Sequence, residues 1–192
     1  MTGRTHDLAA FTALGFVALT QPQTNITLAT GMVAIFANLI GGIAPDIDQP
    51  TAPFWRNLPI GGVAGRVFDK FLGGHRFISH SILGVIIFGF GFHYLLEILR
   101  PSFPHLDMMI IWWAFMIGFG SHLIMDTFTR EGVPWLLPIP VKFGLPPVRE
   151  FRVETGAFVE RFVIFPGLLI LNGYIYYSHY AVLLNLLHSH LK

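Results

Sequence analysis

Apolar positions in this chain come in long blocks, not in the alternation of a half-buried strand or the three-four rhythm of a helix on a soluble core. The blocks run from Leu8 to Leu19, Ile26 to Ala44, Ile82 to Leu99, Met108 to Met125 and Phe162 to Tyr180. The last four approach the roughly 20 residues that a helix needs to cross a bilayer. The first falls short, and is read either as a spanning helix that starts near Thr5 or as a re-entrant one. Polar segments separate the blocks: a turn at Gln21 to Asn25 containing Pro22, a Gly- and Pro-rich loop over 49–79, a turn at Arg100 to Asp107, and a loop over 130–161 that includes Pro146-Pro147. The pattern predicts an all-α polytopic membrane bundle of about five apolar helices with two long loops, organised as a single integral membrane domain over 1–192. Within the first loop, Val63 to Leu72 forms an amphipathic piece suited to lying along the membrane surface.

Composition agrees with that reading. Hydrophobic residues make up 53% of the chain and charged residues 12%, against about 25% charged in soluble domains. The polar N-terminus MTGRTHD, followed by an interrupted apolar run without a clear small-residue cleavage site, gives no expectation of a cleavable signal. A net charge of +1 is uninformative, but its distribution is not. With five spans, Arg4, Arg56, Arg66, Lys70, Arg76, Arg130, Lys142, Arg149, Arg152 and Arg161 fall on one side, and Arg100 and Lys192 on the other. By the positive-inside rule the first side is cytoplasmic, which places the N-terminus and both long loops there. Topology already accounts for the basic loops, so no nucleic-acid partner is expected.

Candidate chemistry gathers at the same ends. The stretch Gly118 to Pro138 carries His122 and Asp126 four residues apart, one turn above the other on a helix. His6 opens the first apolar run, Asp46 and Asp48 end the second after Pro45, and His75 and His80 precede the third. With no cysteine in the chain, imidazole and carboxylate are the strong ligands on offer. Each piece alone has a plainer reading: a hydrogen-bonded His-Asp pair, a turn at Pro45-Asp46, and Ser79 as a helix cap. Together they place seven ligating groups from four segments on one side of the membrane. Clusters of ionisable residues at membrane helix ends mark function. The set exceeds one tetrahedral zinc and suits one or two divalent ions, with zinc first and manganese or iron as alternatives. Arg76 could orient a substrate phosphate or carboxylate, and Asp48 or Asp126 could act as base instead of ligand. His93, His105, His179, His188 and His190 fall outside the cluster.

Thr5-His6, Pro45-Asp46-Ile47-Asp48, His75 to Ser81, and Gly118 to Gly132 around Ser121-His122 and Asp126-Thr127 together resemble the YdjM-like family of membrane-bound, metal-dependent hydrolases, also described as LexA-binding, inner-membrane-associated hydrolases. The likeness covers most of residues 1 to 140. It implies a helical inner-membrane protein whose metal ligands are His6, Asp46, Asp48, His75, His80, His122 and Asp126. A more distant likeness to zinc-dependent phospholipase C and nucleases implies phosphoester cleavage. The expected function is hydrolysis of a phosphoester such as a lipid headgroup ester, with the bilayer as partner. The alternatives are a transporter or metal-handling protein, and a non-catalytic membrane protein stapled by a structural metal.

Overall fold

The computed structural model describes residues 1–21, 26–49, 55, 62, 65–66, 77–139 and 141–190, the side chains of 186–190 excepted. Among these residues the chain is helical, with no strand and two isolated bridges, Thr129 to Val153 and Val133 to Phe143. The helices are α1 (Gly3–Thr20), α2 (Leu28–Ile43), α3 (Ile82–Leu99), α4 (Met108–Thr127), α5 (Phe165–Ser178) and α6 (Tyr180–His190). A 3-10 turn, Ala44–Asp48, continues α2, and a π-helical turn, Glu160–Ile164, leads into α5. The amphipathic piece expected over 63–72 lies almost wholly outside the described residues.

Three of the five expected spans are long and apolar enough to cross a membrane: Leu28–Asp48, Ile82–Ser102 and Met108–Thr127. Each starts at a polar cap. Thr27 accepts from the Thr30 amide, Ser81 from that of Gly84, and Asp107 from those of Met109 and Ile110, satisfying amides that a helix start leaves open. The first run begins earlier than its apolar stretch, at Gly3, and takes Arg4, His6 and Asp7 into α1, which lowers its apolarity. The last expected span divides in the structure. Pro166 has no N–H to give the carbonyl of Phe162, so the helix widens into the π turn before it, and α5 is 14 residues long.

The bundle is built around α4, whose Ile111, Phe115, Phe119 and Leu123 form the buried core with Ala37 of α2 and Leu96 of α3. Rings from α3 pack onto it, Phe92 stacked on Phe115 with centroids 4.1 Å apart and Phe88 tilted against Phe119 at 5.2 Å. Helices α2 and α4 run parallel, pinned at their starts by the Asp107 amide on Thr30 Oγ1 (3.1 Å) and midway by Asn38 Nδ2 on the Ala114 carbonyl (3.0 Å). Their closeness depends on two glycines. A Cβ on Gly41 would run into the carbonyl of Phe115, and one on Gly118 into that of Asn38. Helix α1 packs across α2, α4 and α5. The outward faces expose Phe36, Ile40, Phe90 and Ile170, as a lipid-facing surface requires.

The segment after α4 folds back on the helix ends. The Ile82 amide donates to the Trp135 carbonyl (3.0 Å), the Trp135 indole to Thr127 Oγ1 (3.0 Å), and the Leu145 amide to the Thr127 carbonyl (2.8 Å). Glu160 then ties this segment to α1. Its Oε1 accepts from the Thr2 amide (2.7 Å) and from the hydroxyls of Thr2 (2.6 Å) and Thr5 (2.7 Å), and its Oε2 from the Gly156 amide (2.7 Å). Burial alone would raise the Glu160 carboxyl, but these donors outweigh it and hold the pKa at about 2 against an ordinary 4.5.

Two outcomes are expected. A depressed carboxyl stabilises the fold fully above its unfolded pKa and loses that contribution as pH falls from 4.5 toward about 2. Thermal melts of Glu160→Gln should therefore lie below the parent at neutral pH and converge with it in that acid window. Gly118→Ala should destabilise by about 1–3 kcal/mol through overpacking, while Gly120→Ala, with open space around it, should be neutral or stabilising. Equal melting of the two alanine variants in detergent would contradict the close-approach reading.

Candidate metal centre

Antiparallel and parallel helices meet so that the start of α1, the end of α2, the approach to α3 and the end of α4 share one corner. His6, His80, His122, Asp48 and Asp126 are there, all essentially excluded from solvent, and Asp46 is partly exposed. His75 and Arg76 lie outside the described residues. His93 sits within α3 beside Trp112 and joins nothing in this corner.

Four of the candidates close a ring. His80 Nε2 lies 3.7 Å from Asp46 Oδ1 and 3.7 Å from Asp126 Oδ2, and His122 Nε2 lies 3.6 Å from Asp46 Oδ1 and 3.8 Å from Asp126 Oδ2. Ligands held ~2.0–2.1 Å from one tetrahedral ion stand ~3.4 Å apart, close to these four separations, and the ligand atoms of Asp46, His80 and His122 all lie within 4.8 Å of one another. A second group shares two of the members. His6 stacks on His122 with ring centroids 3.7 Å apart, and its Nε2 is 3.2 Å from Asp126 Oδ1. The structure thus brings together two three-residue groups capable of holding a metal ion, His6-His122-Asp126 and Asp46-His80-His122. Asp126 faces one group with Oδ1 and the other with Oδ2.

The fit to a metal rests on atoms that ordinary packing leaves unexplained. Buried polar atoms are nearly always hydrogen-bonded. Neither ring nitrogen of His6 is, nor is Nε2 of His122, among the described residues. The tautomer of His122 is set from behind: its Nδ1 lies 2.6 Å from the Gly42 carbonyl, which can only accept, so in the neutral ring Nε2 carries the lone pair. His80 is held in a comparable way. Its Nδ1 is 2.9 Å from Ser79 Oγ, and Ser79 donates a short hydrogen bond to Asp48 Oδ2.

Asp48 therefore stands behind His80, with its Oδ2 3.6 Å from Nδ1, on the opposite side of the imidazole from the ring of ligands. Ser79 connects the two, while the helix cap of α3 is Ser81. Three participants escape a reading of the sequence alone. The carbonyl of Gly42 contributes only through backbone, the role of Ser79 appears only once Asp48 is next to it, and the Met1 amine lies 2.5 Å from Asp126 Oδ1. A Ser-His-Ser run after a loop was the one signal that pointed near Ser79.

A Bacillus subtilis (strain 168) protein named YvsG is 28% identical over 178 residues, covering 92% of this chain and 95% of its own. The inner membrane protein YdjM of Escherichia coli (strain K12) is 30% identical over 122 residues, covering 63% of this chain and 56% of its own, and its Shigella flexneri namesake matches equally. No solved structure matches. The YdjM inner membrane protein family itself matches residues 1–187, so this chain, with its apolar helices and its His/Asp corner, belongs to that family.

Proposed function

We propose that this protein is a membrane-bound, metal-dependent hydrolase that cleaves a phosphoester, with a lipid headgroup ester as the preferred substrate class. The observation that carries the reading is the ring of Asp46, His80, His122 and Asp126, whose buried imidazoles are oriented from behind and whose one partly exposed member is Asp46. In this reading those four side chains hold a divalent ion, zinc first and manganese or iron as alternatives, and His6 with Asp126 offers a second position. Such an ion supplies Lewis acidity and a nucleophile derived from water at neutral pH.

The chain's own residues do the rest. Gly42 fixes the His122 ring, and the Asp48-Ser79 pair fixes His80, so neither ring has to reorganise. Asp48 and Asp126 are both buried, and Asp48 is engaged with Ser79. Asp46, at 27% exposure, is the ring member that also lines the neighbouring cavity, so a substrate would approach the ion from its side. With ten Lys and Arg residues sorted to the side of the site, the corner faces the cytoplasm at headgroup depth, where an anionic lipid presents its ester.

Elemental mass spectrometry of the detergent-purified protein should find about one or two equivalents of metal, with His122→Ala and Asp46→Ala depleted. Chelation should abolish cleavage of a phosphodiester and metal addition restore it. Metal retained without hydrolysis of phosphoester or carboxylester would make the ion structural, and a metal-free parent after zinc or manganese loading would end the hydrolase reading. Ser79→Ala should lower metal affinity by about 10–100-fold, the usual cost of losing a group that orients a ligand.

A further inference from the structure

Five of the seven described arginine side chains are engaged. Arg66 donates to the Gly62 carbonyl, Arg100 pairs with Glu97, Arg130 with Glu154, Arg149 donates to the Arg130 carbonyl, and Arg152 to those of Pro146 and Pro147. The guanidiniums of Arg4 and Arg161 have no such partner among the described residues, and both line the same cavity of about 770 Å³. That cavity has Asp46, the partly exposed member of the ring, in its wall. Its volume lies within the ~300–1,000 Å³ of small-molecule sites.

We infer that this cavity is a phosphate subsite, in which Arg4 and Arg161 bind the anionic phosphoryl group of the substrate next to Asp46. The inference rests on the hydrolase reading for its purpose, though the binding it describes does not. Guanidinium groups suit the task because their planar donors match phosphate oxygens in pairs. Three carboxylates also border the space. Glu160 is engaged through both oxygens by Thr2, Thr5 and Gly156, and Asp46 faces two imidazoles, which leaves Asp7 as the remaining acidic neighbour. The helical segment around Arg161 also presents an apolar pair, Phe158 and Phe162, 70% and 65% exposed with ring centroids 4.8 Å apart, and Phe165 lines the cavity wall. A ligand with a charged phosphoryl group and an apolar body would meet both surfaces. Arg161 comes from the far end of the chain and Arg4 from its beginning, and the Glu160 clamp holds the two segments together.

The test uses inorganic phosphate as probe on the full-length protein in phosphatidylcholine nanodiscs, with binding read by calorimetry or phosphorus NMR and with metal content and thermal melting measured alongside. Arg4→Gln/Arg161→Gln should weaken phosphate binding by at least about tenfold, since hydrogen bonds to charged groups are being lost, while metal content and melting stay at parent values. Arg4→Lys/Arg161→Lys should recover part of the affinity, and Arg130→Gln, which removes an arginine already paired to Glu154, should change nothing. Parent-like binding by the double glutamine variant overturns the proposal, as does an equal loss in Arg130→Gln, which would reduce the effect to surface charge. Phosphatidylglycerol in the nanodisc separates the sources of the phosphoryl group. Competition with phosphate in the parent alone supports a lipid headgroup, and unchanged phosphate affinity supports a soluble phosphoester in the same cavity. Arginine-dependent phosphate binding in a protein that holds no metal would sink the hydrolase reading and leave the subsite standing. Metal-dependent hydrolysis without arginine dependence would do the reverse.

Discussion

Everything at the candidate centre depends on how closely α2 approaches α4. Two backbones touch at Gly41 and Gly118, where any side chain would strike a carbonyl of the opposite helix. Membrane helices gain no hydrophobic drive from pairing in lipid, so close packing at small residues and interhelical hydrogen bonds carry the association. Here the hydrogen bonds include those of the Asp107 amide to Thr30 Oγ1, of Asn38 to the Ala114 carbonyl and of His122 to the Gly42 carbonyl. The same approach that packs the helices therefore aims the imidazole, and it places Asp46, four residues beyond Gly42, opposite His122 Nε2.

The electrostatic problem of the corner is severe. Buried carboxylates without partners cost several kcal/mol each, and three aspartates converge here with three imidazoles. The chain divides them by role. Asp48 is satisfied behind His80 by Ser79, whereas Asp46 and Asp126 turn toward ring nitrogens that point inward. A hydrogen-bonded network alone would pair those nitrogens with donors and acceptors. Instead the inward atoms of His6 and His122 lack hydrogen bonds while lying 3.2–3.8 Å from carboxylate oxygens, an arrangement capable of holding a metal ion, and the Met1 amine pairs with Asp126 Oδ1.

Much of this was legible in the sequence, for identifiable reasons. Long apolar blocks gave α2, α3 and α4 to within two residues at each end, because hydropathy is local, whereas the cap of α3 is Ser81 and not the expected Ser79. The meeting of His6, Asp46, Asp48, His80, His122 and Asp126 followed from alternating helix direction, which sends odd starts and even ends to the same side. Other features were not local. The division of the last span depends on a hydrogen bond that Pro166 cannot make four residues back, and the place of Asp48 depends on a serine 31 positions away. Arg76 drew attention as the neighbour of His75, but it lies outside the described residues, and the arginines that line the cavity, Arg4 and Arg161, are 157 positions apart and share no motif.

The central claim is that imidazoles from two separate segments bind one ion together with carboxylates. X-ray absorption at the zinc edge of the zinc-loaded, full-length protein in detergent tests it most directly. The account predicts a shell of nitrogen and oxygen only, at ~2.0–2.1 Å, with the outer-shell scattering of at least two imidazoles, and loss of part of that scattering in His122→Ala. A spectrum without imidazole scattering, or one that His122→Ala leaves unchanged, would contradict it.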